Sequence, residues 1–458
     1  MKKIVISIAG ILMISAGFAQ RNLTLDECRQ LGMEHNKTLE IARISVKMAN
    51  EMKKQAFTEF LPYISMNGSY IRSDRDISLL AENISLPVYA QSGSQTGEYV
   101  VIPENMLDIN TRNIFTGNIS FTQPVFLGGR IKELYNMSKS AVKLAEATEK
   151  NKNEELLLEI DEAYWRVISV QNKLYLAKEY RNLLAKMDSD VAVMVAEGVA
   201  TKSDQLKVKV KLNEAEVMVT KAENGLQLSK MALNQLCGID IDTDIRLADT
   251  ELTKTNDDIP VLIPMEQAFE NRSEIQCIEQ VLNMAKSGQK MMLSRFLPNV
   301  ALTGAYTLSN PNPYNGFKQE FGGGFNVALV AHVPLFHFGE GLYAINAAKS
   351  KEKMANLQLE DLKEKISLQM KQNSYKVAES IRKRNATLKN IEKAQENLNC
   401  ANAGFEEGVI TATDLLGAQT AWLSAKSEDI DAAIEVKLNI VYFQKSMGTL
   451  EIPRSTIK

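Results

Sequence analysis

Apolar residues recur every seven positions along the longest helical segment of the sequence. Residues 131–196 contain neither Gly nor Pro. The row at strict sevens consists of Leu156, Ala163, Val170, Ala177, Leu184 and Val191. A sustained seven-residue period is typical of helices that pack in a left-handed coiled coil. At about 1.5 Å per residue, such a helix is about 100 Å long. The pattern therefore predicts one long coiled-coil helix here.

Three further segments have the same character. They are rich in Lys, Glu, Ala, Leu, Asn and Gln, a composition that long helices favour. No Pro occurs between Pro124 and Pro260, or between Pro334 and Pro453. The predicted helices are about 202–236, 342–403 and 412–446. Together with 131–196 they predict two long helical hairpins per chain.

Four segments alternate apolar and polar residues instead, which predicts β-strands. In one of them Phe115, Ile119 and Phe121 alternate with Thr, Asn and Ser. The predicted strands are about 63–72, 113–123, 299–309 and 324–333. Each has the roughly 9–11 residues that cross a bilayer at a tilt. They pair as two hairpins, joined by a long polar loop over about 73–112 and a shorter one over about 310–321.

One phrase of the sequence occurs twice, as EGVATKSDQL from residue 197 and as EGVITATDLL from residue 407. Gly198 and Gly408 supply the left-handed residue that commonly ends a helix. Thr201 and Thr411, each followed three residues later by Asp204 or Asp414, have the form of a capping box at a helix start. Each phrase is therefore predicted to be the tip of a helical hairpin.

The duplication extends over the whole chain after an expected signal peptide at 1–19. It predicts a first repeat over 20–262 and a second over 263–458. Prolines and glycines at matching places mark the predicted strand–helix junctions. These are Pro62, Pro124, Gly129, Pro298, Pro334 and Gly339.

Composition narrows the function classes. The formal net charge of -3 disfavours nucleic acid as a partner. Three His residues and no recognisable nucleophile, metal or nucleotide motif predict that the protein is not an enzyme and has no cofactor or metal. Four cysteines lie far apart, and buried free thiols are favoured over a disulfide.

Four strands cannot close a membrane barrel, because single-chain bacterial barrels have at least eight and lipid does not tolerate open sheet edges. The chain must pool its strands with copies of itself, giving eight strands in a dimer or twelve in a trimer. The polar faces suit a wet lumen. The alternative is a periplasmic coiled-coil adaptor or scaffold protein, which cell fractionation without detergent would distinguish.

The chain resembles the TolC-type outer-membrane channels of efflux pumps and type I secretion systems. The resemblance runs from LTLDECRQLGMEHNKTLEIA through FLPYISMNGSY, QPVFLGGR and the paired EGV phrases to FQKSMG. It implies a mainly α fold with a membrane β-barrel part: a homotrimer with a twelve-stranded β-barrel in outer-membrane lipid and an α-barrel across the periplasm. It also implies a passive duct that docks to a periplasmic adaptor and an inner-membrane pump such as an RND or ABC transporter.

The resemblance implies that the hairpin tips form the periplasmic aperture and contact the adaptor. Carried over by position, these residues are Gly198, Val199, Thr201, Lys202, Asp204, Gly408, Val409, Ile410, Thr411, Asp414 and Gly417. Family members can carry an arginine where this chain has Ile410, and an acidic residue where it has Gly417. That closing network is absent, so Asp204 and Asp414 are candidates for both helix capping and the aperture.

Overall fold

A computed structural model describes residues 22–249, 259–336 and 338–450 of the chain. The expected signal peptide lies outside the described residues. The helices are α1 Leu25–His35, α2 Lys37–Thr58, α3 Arg130–Ala196, α4 Lys202–Cys237, α5 Met265–Asn271, α6 Ser273–Leu293, α7 Glu340–Glu406 and α8 Ala412–Met447. Both α3 and α7 have 67 residues, and both α4 and α8 have 36. The predicted fold class, mainly α with long hairpins and few strands, is confirmed.

The strands are mostly short. They are β1 Asn22–Leu23, β2 Tyr63–Arg72, β3 Ile77–Ser78, β4 Ile84–Tyr89, β5 Gln95–Ile102, β6 Asp108–Ile109, β7 Asn113–Leu127, β8 Arg246–Leu247, β9 Asn299–Asn310 and β10 Gly322–His332. The four long ones form one antiparallel sheet in the order β10-β9-β7-β2.

The structure corrects one predicted strand–helix junction. Strand β7 continues through Pro124 to Leu127, with an irregular register between Pro124 and Phe126 against β9. Proline is tolerated there because a bulge does not require its missing N–H. The chain turns from strand to helix at Gly128 and Gly129 instead.

Elsewhere the junction residues stand next to the elements. Pro62 and Pro298 directly precede β2 and β9, Gly339 directly precedes α7, and Pro334 lies between β10 and α7.

The segment between β2 and β7 also differs from the expected polar loop. Strands β4 and β5 pair as an antiparallel hairpin, and β3 pairs with β6. The Arg112 guanidinium lies 3.2 Å from an Asp76 carboxylate oxygen, and the Thr111 N–H donates to Asp76 as well. Sequence periodicity missed these strands because they are short and interrupted by polar residues.

The chain divides into two compact units. The first comprises residues up to 47, 143–279 and from 357 onward, and it holds the hairpin tips. One buried cluster of this unit centres on Leu157, Ile160, Tyr164 and Leu233. The second unit comprises 48–142 and 280–356 and holds the four-stranded sheet.

Two glycines in the first unit repeat the same packing. Gly238 and Gly448 end α4 and α8 with φ of 70° and 68°. A Cβ on Gly238 would lie 2.6 Å from the His35 Cβ, and one on Gly448 would lie 2.7 Å from the Asn271 Cβ. In each repeat, therefore, a helix end packs closely against the junction between two N-terminal helices.

All four cysteines are free. Cys28 and Cys237 are buried, and the Cys237 thiol donates to the Cys28 carbonyl oxygen at 3.6 Å. Cys400 is exposed, so the expectation of burial is wrong for that residue.

Candidate functional site

The two hairpin tips have the same backbone conformation. Gly198 and Gly408 have φ of 74° and 72°. The N–H of Val199 donates to the Met194 carbonyl at 2.8 Å, and the N–H of Val409 donates to the Gly404 carbonyl at 2.8 Å. These bonds satisfy carbonyls at the helix end that have no partner within the helix.

A capping box begins the second helix of each hairpin. The N–H of Asp204 donates to the Thr201 hydroxyl oxygen at 3.2 Å, and the Thr201 hydroxyl donates to the Asp204 carboxylate at 2.6 Å. Thr411 and Asp414 make the same pair of bonds at 3.2 and 2.7 Å. The threonine hydrogen bonds lower the pKa of both carboxyls. Both aspartates therefore act as caps in this structure.

The valines at the apexes project from the tips. Val199 is 71% exposed and Val409 is 78% exposed. Local structure does not require an apolar side chain at either position, since each contributes only its backbone to the helix end. Both valine side chains are therefore accessible at the ends of the hairpins.

Charge distinguishes the two tips. Asp204 also accepts a hydrogen bond from the Lys207 ammonium at 3.1 Å. The position matching Lys207 in the second repeat is Gly417, so Asp414 has no such lysine. The Lys202 ammonium donates to the Gln205 side-chain carbonyl at 2.8 Å, and its counterpart is Ala412. The first tip therefore carries two lysines that the second lacks.

Ile410 packs where the family can carry an arginine. It belongs to the partly buried residues around the apolar cluster of the hairpins, together with Ala200, which holds the matching position in the first repeat. A Cβ on Gly404 would lie 3.4 Å from the Ile410 Cγ2, an ordinary packing distance, so Ile410 lies directly beside the end of α7. Ile410 therefore packs with apolar neighbours within the hairpin.

The two hairpins are joined by ion pairs that the sequence pattern did not reveal. The Lys173 ammonium lies 2.6 Å from an Asp431 carboxylate oxygen, and Lys426 lies 3.7 Å from Glu179. These residues are far apart in sequence and ordinary in composition, so no local signal identifies them. Partly exposed pairs of this kind contribute about 0–1 kcal/mol each.

Inside the second hairpin a mostly buried ion pair links α7 to α8. The Arg384 guanidinium contacts the Asp429 carboxylate, and the Thr387 hydroxyl donates to the same carboxylate at 3.0 Å. The matching positions in the first repeat are Leu174 and Val219. A charged pair in the second hairpin therefore stands where the first has two apolar residues.

A groove of about 660 Å³ lies between α4 and α8 beside the tips. Its lining is Ser203, Leu206, Lys207, Val210, Lys211, Thr413, Leu416, Gly417 and Thr420. Leu206 and Val210, one helical turn apart, are both about half exposed. A Cβ on Gly417 would meet no atom within 4 Å, so the glycine leaves the groove open. Of the predicted site residues, only Gly417 lines this groove.

The four-stranded sheet has two different faces. The apolar face includes Met66, which is 77% exposed, and Phe325, which is 82% exposed. On the other face the Ser65 and Ser120 hydroxyls lie 2.9 Å apart, and the Asn118 amide donates to the Thr307 hydroxyl oxygen at 3.4 Å. Strands β2 and β10 leave one edge each unpaired among the described residues.

Two kinds of feature are absent from the described residues: helices that could cross a membrane and groups of side chains that could hold a metal ion. No helix among the described residues combines the length and hydropathy needed to cross a bilayer. In the same part of the chain, no group of three or more His, Cys, Asp or Glu side chains is arranged to hold a metal ion.

Comparison with known proteins gives a family match. The model of the outer membrane efflux protein family matches residues 29–239 and 265–449. The chain is 21% identical to the outer membrane protein TolC of Vibrio cholerae over 344 residues, which are 74% of this chain and 77% of that protein. It is also 21% identical to the alkaline protease secretion protein AprF of Pseudomonas aeruginosa over 320 residues, 69% of this chain and 65% of that protein.

Solved structures share the fold. The CmeC outer membrane channel of Campylobacter jejuni superposes with a TM-score of 0.77 at 17% identity, covering 94% of this chain and 87% of CmeC. The open state of the MtrE outer membrane channel of Neisseria gonorrhoeae gives a TM-score of 0.74 at 17% identity, covering 93% of this chain and 90% of MtrE.

Proposed function

The chain belongs to the outer membrane efflux protein family, and from that membership we propose that it is a passive trimeric duct through the periplasm and outer membrane. The family comprises channels and not enzymes. The duct receives its substrates from a periplasmic adaptor and an inner-membrane pump of the RND or ABC class. It serves either efflux or type I secretion, since one similar protein is named for protease secretion.

The observation that carries the proposal is the incomplete sheet. Its apolar face is exposed at Met66, Phe325 and Leu329, and the outer edges of β2 and β10 have no partner strand in the described part of a single chain. Unpaired backbone groups at a sheet edge cost several kcal/mol each in lipid, so such a sheet must close. Pairing β10 of one copy with β2 of the next closes twelve strands in a trimer, with the apolar face toward lipid.

Helix α2 offers a further surface for a neighbouring copy. Ile44, Met48 and Met52 follow one helical stripe, and each is more than half exposed. A contiguous apolar stripe that faces water is unfavourable unless another surface covers it. A second copy of the chain is the cover that closure of the sheet already requires.

The hairpin tips are the proposed adaptor contact. Val199 and Val409 give the tips exposed apolar apexes, and the groove at Leu206, Val210 and Gly417 extends that surface. Helical segments commonly bind such grooves through apolar side chains one turn apart. Asp204 and Asp414 cap the helices and also place carboxylates near the aperture.

Two measurements test the duct itself. The protein should sediment with outer membranes, require detergent for release and have the native mass of three chains once the detergent is subtracted. It should also conduct ions when inserted into planar bilayers. Release in soluble form without detergent would overturn the proposal and favour a periplasmic adaptor or scaffold.

Site-specific crosslinking tests the adaptor contact. A photo-crosslinking amino acid at Val409 should capture a periplasmic adaptor in intact cells, whereas one at Tyr99 in the β4–β5 hairpin should not. Gly417→Leu places an apolar side chain in the groove, with open space at its Cβ, and should abolish the capture. Gly288→Leu is the matched control, because Gly288 is also helical with open space at its Cβ. If both variants capture the adaptor equally well, the groove is not part of the adaptor contact.

A further inference from the structure

The polar face of the sheet carries almost no charge. Arg72 is the only Asp, Glu, Lys or Arg in the four long strands. It lies on the apolar face, in line with Met66 and Tyr70. The polar-face rows consist mainly of Ser, Thr, Asn, Ala and Gly. Ile71 and Ile114 form the row at one end, and Tyr63, Val330 and His332 lie toward the other. A lumen lined by these residues has no fixed charge with which to sort solutes, so the strands do not select solutes by charge.

Two positions of the polar face have no side chain at all. Gly322 and Gly324 alternate with Gly323 at the start of β10 and share the face of Asn326 and Ala328. Gly324 lies in the same cross-strand row as Thr307. The row therefore has an open place where a side chain would normally stand.

A tyrosine from the loop between β9 and β10 occupies that place. A Cβ on Gly324 would lie 2.5 Å from the Tyr314 Cζ and 2.6 Å from its hydroxyl oxygen. A Cβ on Gly322 would collide with the Asn312 side chain in the same way. The loop thus folds back over the polar face and lays the Tyr314 ring on it.

Hydrogen bonds hold the loop in this position. The Tyr314 N–H donates to the Asn312 side-chain oxygen at 3.0 Å, and the Asn312 N–H donates to the Lys318 carbonyl at 2.9 Å. The Asn315 amide donates to the Glu320 carboxylate at 2.7 Å, and this bond lowers the pKa of Glu320. The Gln319 amide donates at 2.8 Å to the Asn110 carbonyl, in the segment between β2 and β7.

The ring nevertheless faces open space. Tyr314 is 66% exposed although its edge rests on Gly324. Since the polar face turns inward when the sheet closes, the exposed side of the ring points toward the axis of the duct. Each copy of the chain brings one such ring to the same level.

We infer that Tyr314 narrows the outer mouth of the duct and sets the largest solute that passes, with Gly322 and Gly324 as the seat that admits the loop. This inference rests on the proposed function. Tyr314, in the loop between β9 and β10, would select solutes by size. The strands beneath it would not select them by charge.

Thiol labelling from outside intact cells tests the inference. Ala328→Cys places a thiol on the polar face below the ring, in a Cys277→Ser, Cys400→Ser background that leaves only the two buried native thiols. A small uncharged maleimide should label it, and a polyethylene glycol maleimide should not. Ala331→Cys, on the apolar face, should react with neither reagent.

Removing the ring should widen the mouth. Tyr314→Ala should raise the rate of labelling by the polyethylene glycol maleimide by at least about tenfold and leave the small reagent unchanged. Gly324→Ala, which places a methyl group where the ring lies, should have the same effect with the tyrosine still present. Tyr314→Phe should keep the exclusion, and Tyr99→Ala should not change it. A trimer band in the outer membrane checks that each variant folds.

Two results would overturn the inference. If Tyr314→Ala and Gly324→Ala assemble and still exclude the large reagent, the ring does not set the size limit of the duct. The inference then fails, and the proposed function is unaffected. If the small reagent labels Ala331→Cys but not Ala328→Cys, the polar face does not line a lumen. The proposed duct then fails together with the inference.

Discussion

Replacing Arg29 by Met should expose how strongly the first unit depends on one buried ion pair. The Arg29 guanidinium binds the Asp161 carboxylate with two hydrogen bonds, Nε to Oδ1 at 2.7 Å and Nη2 to Oδ2 at 2.5 Å. The Asp161 side chain has no exposed surface, and the Arg29 side chain is 17% exposed. Methionine keeps much of the arginine's apolar length but leaves the carboxylate without its partner.

The expected cost is about 3–5 kcal/mol, because an unpaired charge then stays buried. That is a large share of the roughly 5–15 kcal/mol by which native proteins are usually stable. Removing both charges is different, since apolar residues of similar volume often replace a buried pair with little loss. The double variant Arg29→Met, Asp161→Leu should therefore recover most of the lost stability.

The pH dependence gives a sharper test. Burial raises the pKa of Asp161, and the Arg29 guanidinium opposes that rise. Without Arg29 the pKa of the folded state rises further above the unfolded value. A carboxyl whose pKa is higher in the folded state than in the unfolded state stabilises the fold at pH values below its unfolded-state pKa. That stabilisation is lost as the pH rises through its folded-state pKa. The deficit of Arg29→Met should thus be largest at neutral pH and shrink on acidification.

Urea unfolding in detergent, followed by far-UV circular dichroism at several pH values, measures both effects. The variant Arg29→Met, Asp161→Asn is the control, because its neutral amide cannot titrate. The reasoning is refuted if the deficit of Arg29→Met does not change with pH, or if removing both charges is as damaging as removing one.

Two further predictions concern the helix ends. Gly448→Ala should cost more than the roughly 1–2 kcal/mol that φ of 68° imposes on an L-residue, because the added Cβ would also lie 2.7 Å from the Asn271 Cβ. Gly288→Ala, in an open helical position, should instead stabilise by about 0.5–1 kcal/mol. Equal melting temperatures for the two variants would contradict this. Thr411→Ala should cost about 1 kcal/mol and fray the start of α8, which hydrogen exchange detects at Asp414 and Leu415. Because the Thr411 hydroxyl lowers the pKa of Asp414, the cap's contribution is present above the unfolded pKa and lost as pH falls through the folded pKa. Exchange that is unaffected by Thr411→Ala would rule out the cap.

Much of the architecture followed from the sequence because its causes are local. Gly198, Thr201 and Asp204 determine the first tip through backbone freedom and hydrogen bonds within a few residues, and the second tip repeats them. Heptads and alternation likewise act within one element. Pro124 misled the prediction because the same residue can end a strand or sit in a bulge, and its partner strand β9 decides which.

The remaining features depend on residues that meet only after folding. Arg384 looks like a surface residue until α8 brings Asp429 to it, and Arg29 finds Asp161 in the same way. The groove at Gly417 exists because α4 lies beside α8. Tyr314 is one of 13 tyrosines in the sequence and acquires its place only when the loop folds back onto Gly324. Periodicity determined the long helices and the four long strands, while contacts between distant residues decided where charge is buried and where the Tyr314 ring lies.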